Sequence, residues 1–200
     1  MKTAKIISII GHPIFHPTWM MIILLLSGLT RFTPGNDLTF LTVTFSMTCL
    51  IPALIIVMMK KWHVIDSFEM EDRDDRLGPL FIMILFLYAT LRFFSKIQML
   101  SAFNFYLTTV IVVTVLAFII TFFWKISLHA LGWGCFSACL FIMATAYMRM
   151  YLSYFIGSIV ISGIVASARL KLKSHSNAQI YSGFAMGFAT VIVIYFLSLY

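Results

Sequence analysis

"FNFYLTTVIVVTVLAFIITFF", Phe103 to Phe123, holds no charged residue. A helix rises about 1.5 Å per residue, so about twenty apolar residues cross the ~30 Å hydrocarbon core of a bilayer. Similar runs occupy residues 15–31, 39–59, 79–95, 128–147, 150–167 and 180–199. Strands of a membrane barrel would alternate apolar and polar residues over about ten positions, and these runs do not alternate. The expected fold is all-α, a polytopic transmembrane helical bundle of six to seven spans. No linker, soluble domain or internal repeat interrupts it, so residues 1–200 read as one integral membrane domain.

The composition agrees. The chain is 62% hydrophobic and 10% charged, against roughly 45–50% and about 25% in soluble domains. A soluble enzyme is excluded, and no nucleic-acid partner is expected. The first span can start as early as Ile6, with kinks at Pro13 and Pro17. Met1 to Lys5 is basic and precedes the apolar Ile6–Ile10, as in a signal peptide, but no small-residue cleavage site follows. The segment is expected to be retained. Thr33 to Asp37 reads as a turn. The short Tyr147–Met150 connection predicts a tight antiparallel pair. Cys49, Cys135 and Cys139 lie in apolar runs. Cys135 and Cys139 share a helix face, where packing is a simpler role than metal binding.

Alternating spans place the N-terminus, residues 60–78, the 124–129 junction and residues 168–179 on one membrane face. That face holds ten of the fourteen basic residues, all five histidines and six of the seven acids. The positive-inside rule makes it cytoplasmic, and the expected setting is a bacterial cytoplasmic membrane. Some of those cations can instead serve a ligand, which weakens them as orientation signals.

Three polar clusters therefore share a face: the acidic loop of residues 66–78, "WKISLHA" (Trp124–Ala130), and "LKLKSHSNAQ" (Leu170–Gln179) with Arg169 before it. Two histidines converging with Arg and Lys suit an anionic head group at the interface. Guanidinium and ammonium donors hold phosphoryl oxygens. Two imidazoles can divide the roles of nucleophile and acid for the leaving alkoxide. The bland readings are equally concrete. Lys171 and Lys173 are head-group anchors, Trp62 and Trp124 are belt residues, and His12 and His16 are a plain interfacial segment. The acidic cluster can be a solvated loop.

"WKISLH" and "ARLKLKSHSNAQIYSGFAMG" (Ala168–Gly187) resemble the second and third signature motifs of the type 2 phosphatidic acid phosphatase superfamily, the lipid phosphate phosphatases. The third motif of that family reads Ser-Arg, five residues, His, three residues, Asp. Here Ala168-Arg169 precedes His175 by the same spacing, and Gln179 stands in the Asp position. The second motif reads Pro-Ser-Gly-His, against Ile126-Ser127-Leu128-His129. The first motif, Lys, six residues, Arg-Pro, has a loose counterpart in Arg73 or Arg76 with Pro79. The likeness covers residues 124–187.

The resemblance implies that His175 attacks phosphorus and forms a phosphohistidine, and that His129 protonates the leaving oxygen. Arg169, Ser127, Lys125, Arg76 and Arg73 would bind phosphate. The substrate would be a lipid or polyprenyl phosphate, and neither metal nor other cofactor is implied. Gln179 can orient His175 but brings no charge. No acidic residue follows Asp75, so a carboxylate partner would have to come from the acidic loop, Asp72 or Asp75 being the candidates. Two alternatives stand beside this reading. One is a degenerate member that binds lipid phosphate or serves as an assembly subunit. The other is a magnesium-dependent prenyltransferase-like enzyme, suggested by "DSFEMEDRDDR" (Asp66–Arg76). That chemistry uses two acidic loops to bracket diphosphate, and one is present.

Overall fold

The computed structural model describes residues 1–28, 36–68, 70, 72–97, 101–146 and 148–199. Glu69, Glu71 and Tyr147 lie outside the described residues, as does most of the expected 33–37 turn; Asn36 and Asp37 begin a helix instead. Among the described residues, seven helical stretches are long and apolar enough to cross a membrane: Lys2–Leu26, Asn36–Lys61, Asp74–Phe94, Ser101–Thr121, Leu128–Ala146, Tyr151–Lys171 and Asn177–Leu197. The chain is an all-α integral membrane protein.

The first stretch is broken. Helix α1 (Lys2–Ile10) ends where the N–H groups of Gly11 and His12 turn back to the Ile7 and Ile9 carbonyls. Pro13 lacks an N–H and its ring would clash with the preceding turn of a continuing helix, so a short 3-10 turn, Pro13–Phe15, intervenes. Helix α2 (His16–Leu26) restarts with Pro17 in its first turn, where no N–H is missed. The second stretch is α3 (Asn36–Phe45), one π-helical turn (Ser46–Leu50) and α4 (Ile51–Lys61). Pro52 cannot donate to the preceding turn, a recognised cause of such irregularity. The remaining helices are α5 (Asp74–Phe94), α6 (Ser101–Thr121), α7 (Leu128–Ala146), α8 (Tyr151–Lys171) and α9 (Asn177–Leu197).

These helices form two compact units. Residues 14–124 make one, with α2 to α6. Its core joins α5 to α6 through Phe94, Phe103 and Leu107, all fully buried. Phe94 and Phe103 meet edge to face at 5.5 Å. Arg73, at the start of α5, donates Nη1 to the carbonyls of Phe122 (3.3 Å) and Phe123 (3.1 Å). It caps the chain leaving α6, where helix-end carbonyls want a cation.

Residues 1–13 and 125–200 make the other unit, with α1 and α7 to α9. Helix α7 is central: 72% of its apolar window is buried, against 22% in α8 and in α9. The reason is its small side chains. Lipid offers helices no hydrophobic drive to associate, so they associate through close packing and hydrogen bonds. A Cβ on Gly134 of α7 would run into the Phe184 carbonyl of α9, and one on Gly187 into the Leu131 carbonyl. Gly183 sits against the Ser127 carbonyl, 3.0 Å from where its Cβ would be. Helices α7 and α8 pair antiparallel across the short connection, and Ser158 Oγ donates to Ser137 Oγ at 2.8 Å. Cys135 and Cys139 are buried in α7.

Candidate functional site

The unit of α1 and α7 to α9 collects five of the residues that carry the motif resemblance at one end. Helix α7 starts there, α8 ends there, and α9 starts there. Ser127 lies just before α7, wholly buried, and its Oγ accepts the Ala130 N–H at 3.4 Å. This is an N-cap contact, which satisfies an otherwise orphaned helix donor. His129 follows in the first turn and is buried. The Ser127 N–H donates to the Gln179 carbonyl at 3.3 Å, which ties the second motif directly to the third.

The connection from α8 to α9 is ordered at both ends. Arg169 lies in the last turn of α8. The Lys173 N–H turns back to the Leu170 carbonyl and the Ser174 N–H to the Arg169 carbonyl. This is a Schellman closure, and it places Lys173 in the left-handed region with φ 55°. Ser176 then caps α9 in a reciprocal box. Its Oγ accepts the Gln179 N–H at 3.3 Å, and Gln179 Oε1 accepts the Ser176 N–H at 3.0 Å. The same Oε1 lies 3.2 Å from Nδ1 of the buried His175. A carbonyl oxygen only accepts, so Nδ1 carries a proton, and in the neutral ring Nε2 then carries the lone pair.

Helix α1 enters this end as well. The Ser8 carbonyl is among the last four of α1, which have no intrahelical donor. His129 Nε2 donates to it at 3.0 Å. Ser8 Oγ accepts from Arg169 Nη1 at 3.0 Å and lies 3.4 Å from the same His129 nitrogen. Gly11 O accepts from Trp133 Nε1 at 3.0 Å, one turn along α7. The His12 ring meets His129 edge to face, centroids 4.8 Å apart.

The structure thus groups Ser127, His129, Arg169, His175 and Gln179, with Lys125 two residues before Ser127 and half-buried. Arg73, Arg76, Asp72 and Asp75 belong to the other unit, where all but Asp72 make local hydrogen bonds. Arg76 is buried and its Nε donates to the Met70 carbonyl at 3.0 Å. The Asp75 carboxylate accepts the Asp66 N–H at 3.1 Å. Asp72 is exposed and lines an open depression with Asp66, Arg73, Asp74 and Asp75. Among the described residues no three His, Cys, Asp or Glu side chains are grouped to hold a metal ion.

No family model, no curated protein and no solved structure matches the chain. Function must therefore be argued from the site itself.

Two of its members were not legible as such. Ser8 is one serine in an apolar run and carries no signal. His12 and His16 read as one interfacial segment, yet Pro13 ends α1 between them. His12 goes to His129, while His16 is buried in the unit of α2 to α6. The capping box is a third feature that the sequence reading missed: Ser176 with Gln179 three residues on is a helix-start signature, and it gives Gln179 a second role beside that of an Asp substitute.

Proposed function

We propose that this is a membrane phosphatase resembling the type 2 phosphatidic acid phosphatases, which hydrolyses a lipid or polyprenyl phosphate in a cytoplasmic membrane. The observation that carries the reading is the Nδ1–Oε1 contact of His175 with Gln179. It leaves Nε2 as the nucleophilic nitrogen of a buried, oriented imidazole. Around it lie the features a phosphoryl group needs. Arg169 offers a guanidinium fork, and α7 and α9 both begin at this end, where helix dipoles favour an anion.

In this reading His175 Nε2 attacks phosphorus as the bond to the lipid oxygen breaks. His129 gives that oxygen a proton. Water then attacks the phosphohistidine and releases phosphate, and the imidazole at 129 takes the proton back. Ser127, as the cap of α7, keeps the first-turn N–H groups directed at this end, and Lys125 adds charge. Arg73 and Arg76 do structural work in their own unit, so the reading does not depend on them.

The test is phosphate release from a panel of lipid phosphates by purified protein in detergent. Turnover is expected on alkyl phosphates and should be lost in His175→Ala. His129→Ala should lose about 10²–10⁴-fold on alkyl substrates, the range of general acid catalysis. It should lose far less on activated aryl phosphates, which need no proton on leaving. Equal losses on both substrates would reject the assignment of His129. One observation favours a binding-only protein of the same fold: Gln179 supplies no charge to stabilise an imidazolium. That reading predicts saturable binding of lipid phosphate with no release by the wild type.

A further inference from the structure

Resting on the phosphatase reading, we infer that Ser8 is a positioning residue of the site, and that α1 is the element that holds both Arg169 and His129 in place. No motif points to residue 8. The geometry does, because two oxygens of one residue address the two groups. Ser8 Oγ accepts from Arg169 Nη1 at 3.0 Å, and Ser8 O accepts from His129 Nε2 at 3.0 Å. Ser8 itself is 6% exposed, so both contacts are made away from water.

Each contact has a distinct consequence. An arginine fork recognises phosphate through fixed, planar donors, and its side chain carries rotamer entropy that must be surrendered on binding. A hydroxyl holding one Nη beforehand removes part of that loss. The carbonyl holds the imidazole by Nε2–H, which sets its tautomer and the direction of its other nitrogen. A backbone carbonyl commonly fixes a working histidine in this way.

The position of Ser8 is itself determined. The Trp133 indole holds the Gly11 carbonyl, and the His12 ring packs on His129. Pro13 ends the helix where its last-turn carbonyls meet α7. Helix α1 packs along α8, and its C-terminal end reaches α7 through the Ser8 carbonyl and through the carbonyl of Gly11, which follows the helix.

The hydroxyl contact is open to mutation, and a double-mutant cycle on the full chain in detergent decides it. The variants are Ser8→Ala, Ser8→Thr, Arg169→Ala and the Ser8→Ala/Arg169→Ala double. The readouts are kcat and KM on a short-chain phosphatidic acid and, separately, the Kd of inorganic phosphate. Ser8→Ala should raise KM and phosphate Kd about tenfold, the order of a hydrogen bond to a charged group, with kcat falling less. Ser8→Thr should recover most of the loss. The double variant should be no worse than Arg169→Ala, because the hydroxyl acts through the guanidinium. Multiplying losses, or wild-type KM and Kd in Ser8→Ala, would overturn the inference. If the wild type releases no phosphate but binds it, the hydrolytic reading fails while the Kd cycle still decides on Ser8. If it neither hydrolyses nor binds phosphate, the inference falls with the reading.

Discussion

Gln179 and His175 share one oxygen. Gln179 Oε1 accepts hydrogen bonds from His175 Nδ1–H, at an N–O distance of 3.2 Å, and from Ser176 N–H, at 3.0 Å, using both of its lone pairs. The side chain that starts helix α9 is therefore the one that orients the buried imidazole. Folding of the helix and orientation of the ring are one event.

This sharing makes Gln179 testable by two measurements at once. Gln179→Ala should lower stability by about 1 kcal/mol, the usual cost of a lost cap, and reduce turnover at least tenfold. Gln179→Glu keeps both acceptor contacts and should hold stability within about 0.5 kcal/mol, with turnover no lower than wild type. Thermal unfolding and phosphate release on the same preparations check both. An alanine variant that is less stable but fully active would leave Gln179 as a cap only.

Packing of α7 on α9 gives a prediction free of any functional reading. Gly134→Ala and Gly187→Ala set a methyl against backbone carbonyls that cannot move aside. Each should cost about 1–3 kcal/mol, the range for overpacking. Gly157 and Gly163 of α8 have open space where a Cβ would go. Alanine there should be neutral, or stabilising by about 0.5–1 kcal/mol through helix propensity. Midpoints of thermal unfolding in detergent separate the two pairs.

Lys173 occupies the left-handed position of the α8 closure at φ 55°. A side chain there costs about 1–2 kcal/mol that glycine avoids. Lys173→Gly should raise the unfolding midpoint, and Lys173→Val should lower it. A fall in Lys173→Gly would mean that the ammonium, not the backbone, sets the energetics of this turn.

Asp75 carries two competing expectations. Within its own unit its carboxylate accepts the Asp66 N–H, so Asp75→Ala should loosen the loop and lower the unfolding midpoint while turnover persists. If Asp75 also serves His175, the same change costs turnover steeply, and Gln179→Asp partly restores it. Kinetics of the two single variants and their combination distinguish the cases.

Much of the fold is a local property of the chain. Twenty apolar residues have the length to cross a bilayer wherever they occur, so six spans, from Phe103–Phe123 outward, were legible within a few residues, whereas the first, expected at 15–31 or from Ile6, runs from Lys2 to Leu26. The break before α2 follows from Pro13, because prolines act on their own neighbours; the cap that starts α9 at Ser176 and Gln179 is equally local but was not read from the sequence, which placed the span at 180–199. The grouping of Ser127 and His129 with Arg169 and His175 was suggested by motif spacing and the alternation of spans.

The tertiary structure alone decided what α1 does. Ser8 meets His129 across 121 positions of sequence and Arg169 across 161. A soluble helix announces its inward face by an apolar stripe. A helix in lipid is apolar on every side, so no periodicity says which face turns to a neighbour. Small residues and single hydrogen bonds make that choice. They take effect only when Gly134, Gly183 and Gly187 bring α7 and α9 together and α1 closes on the end of α7.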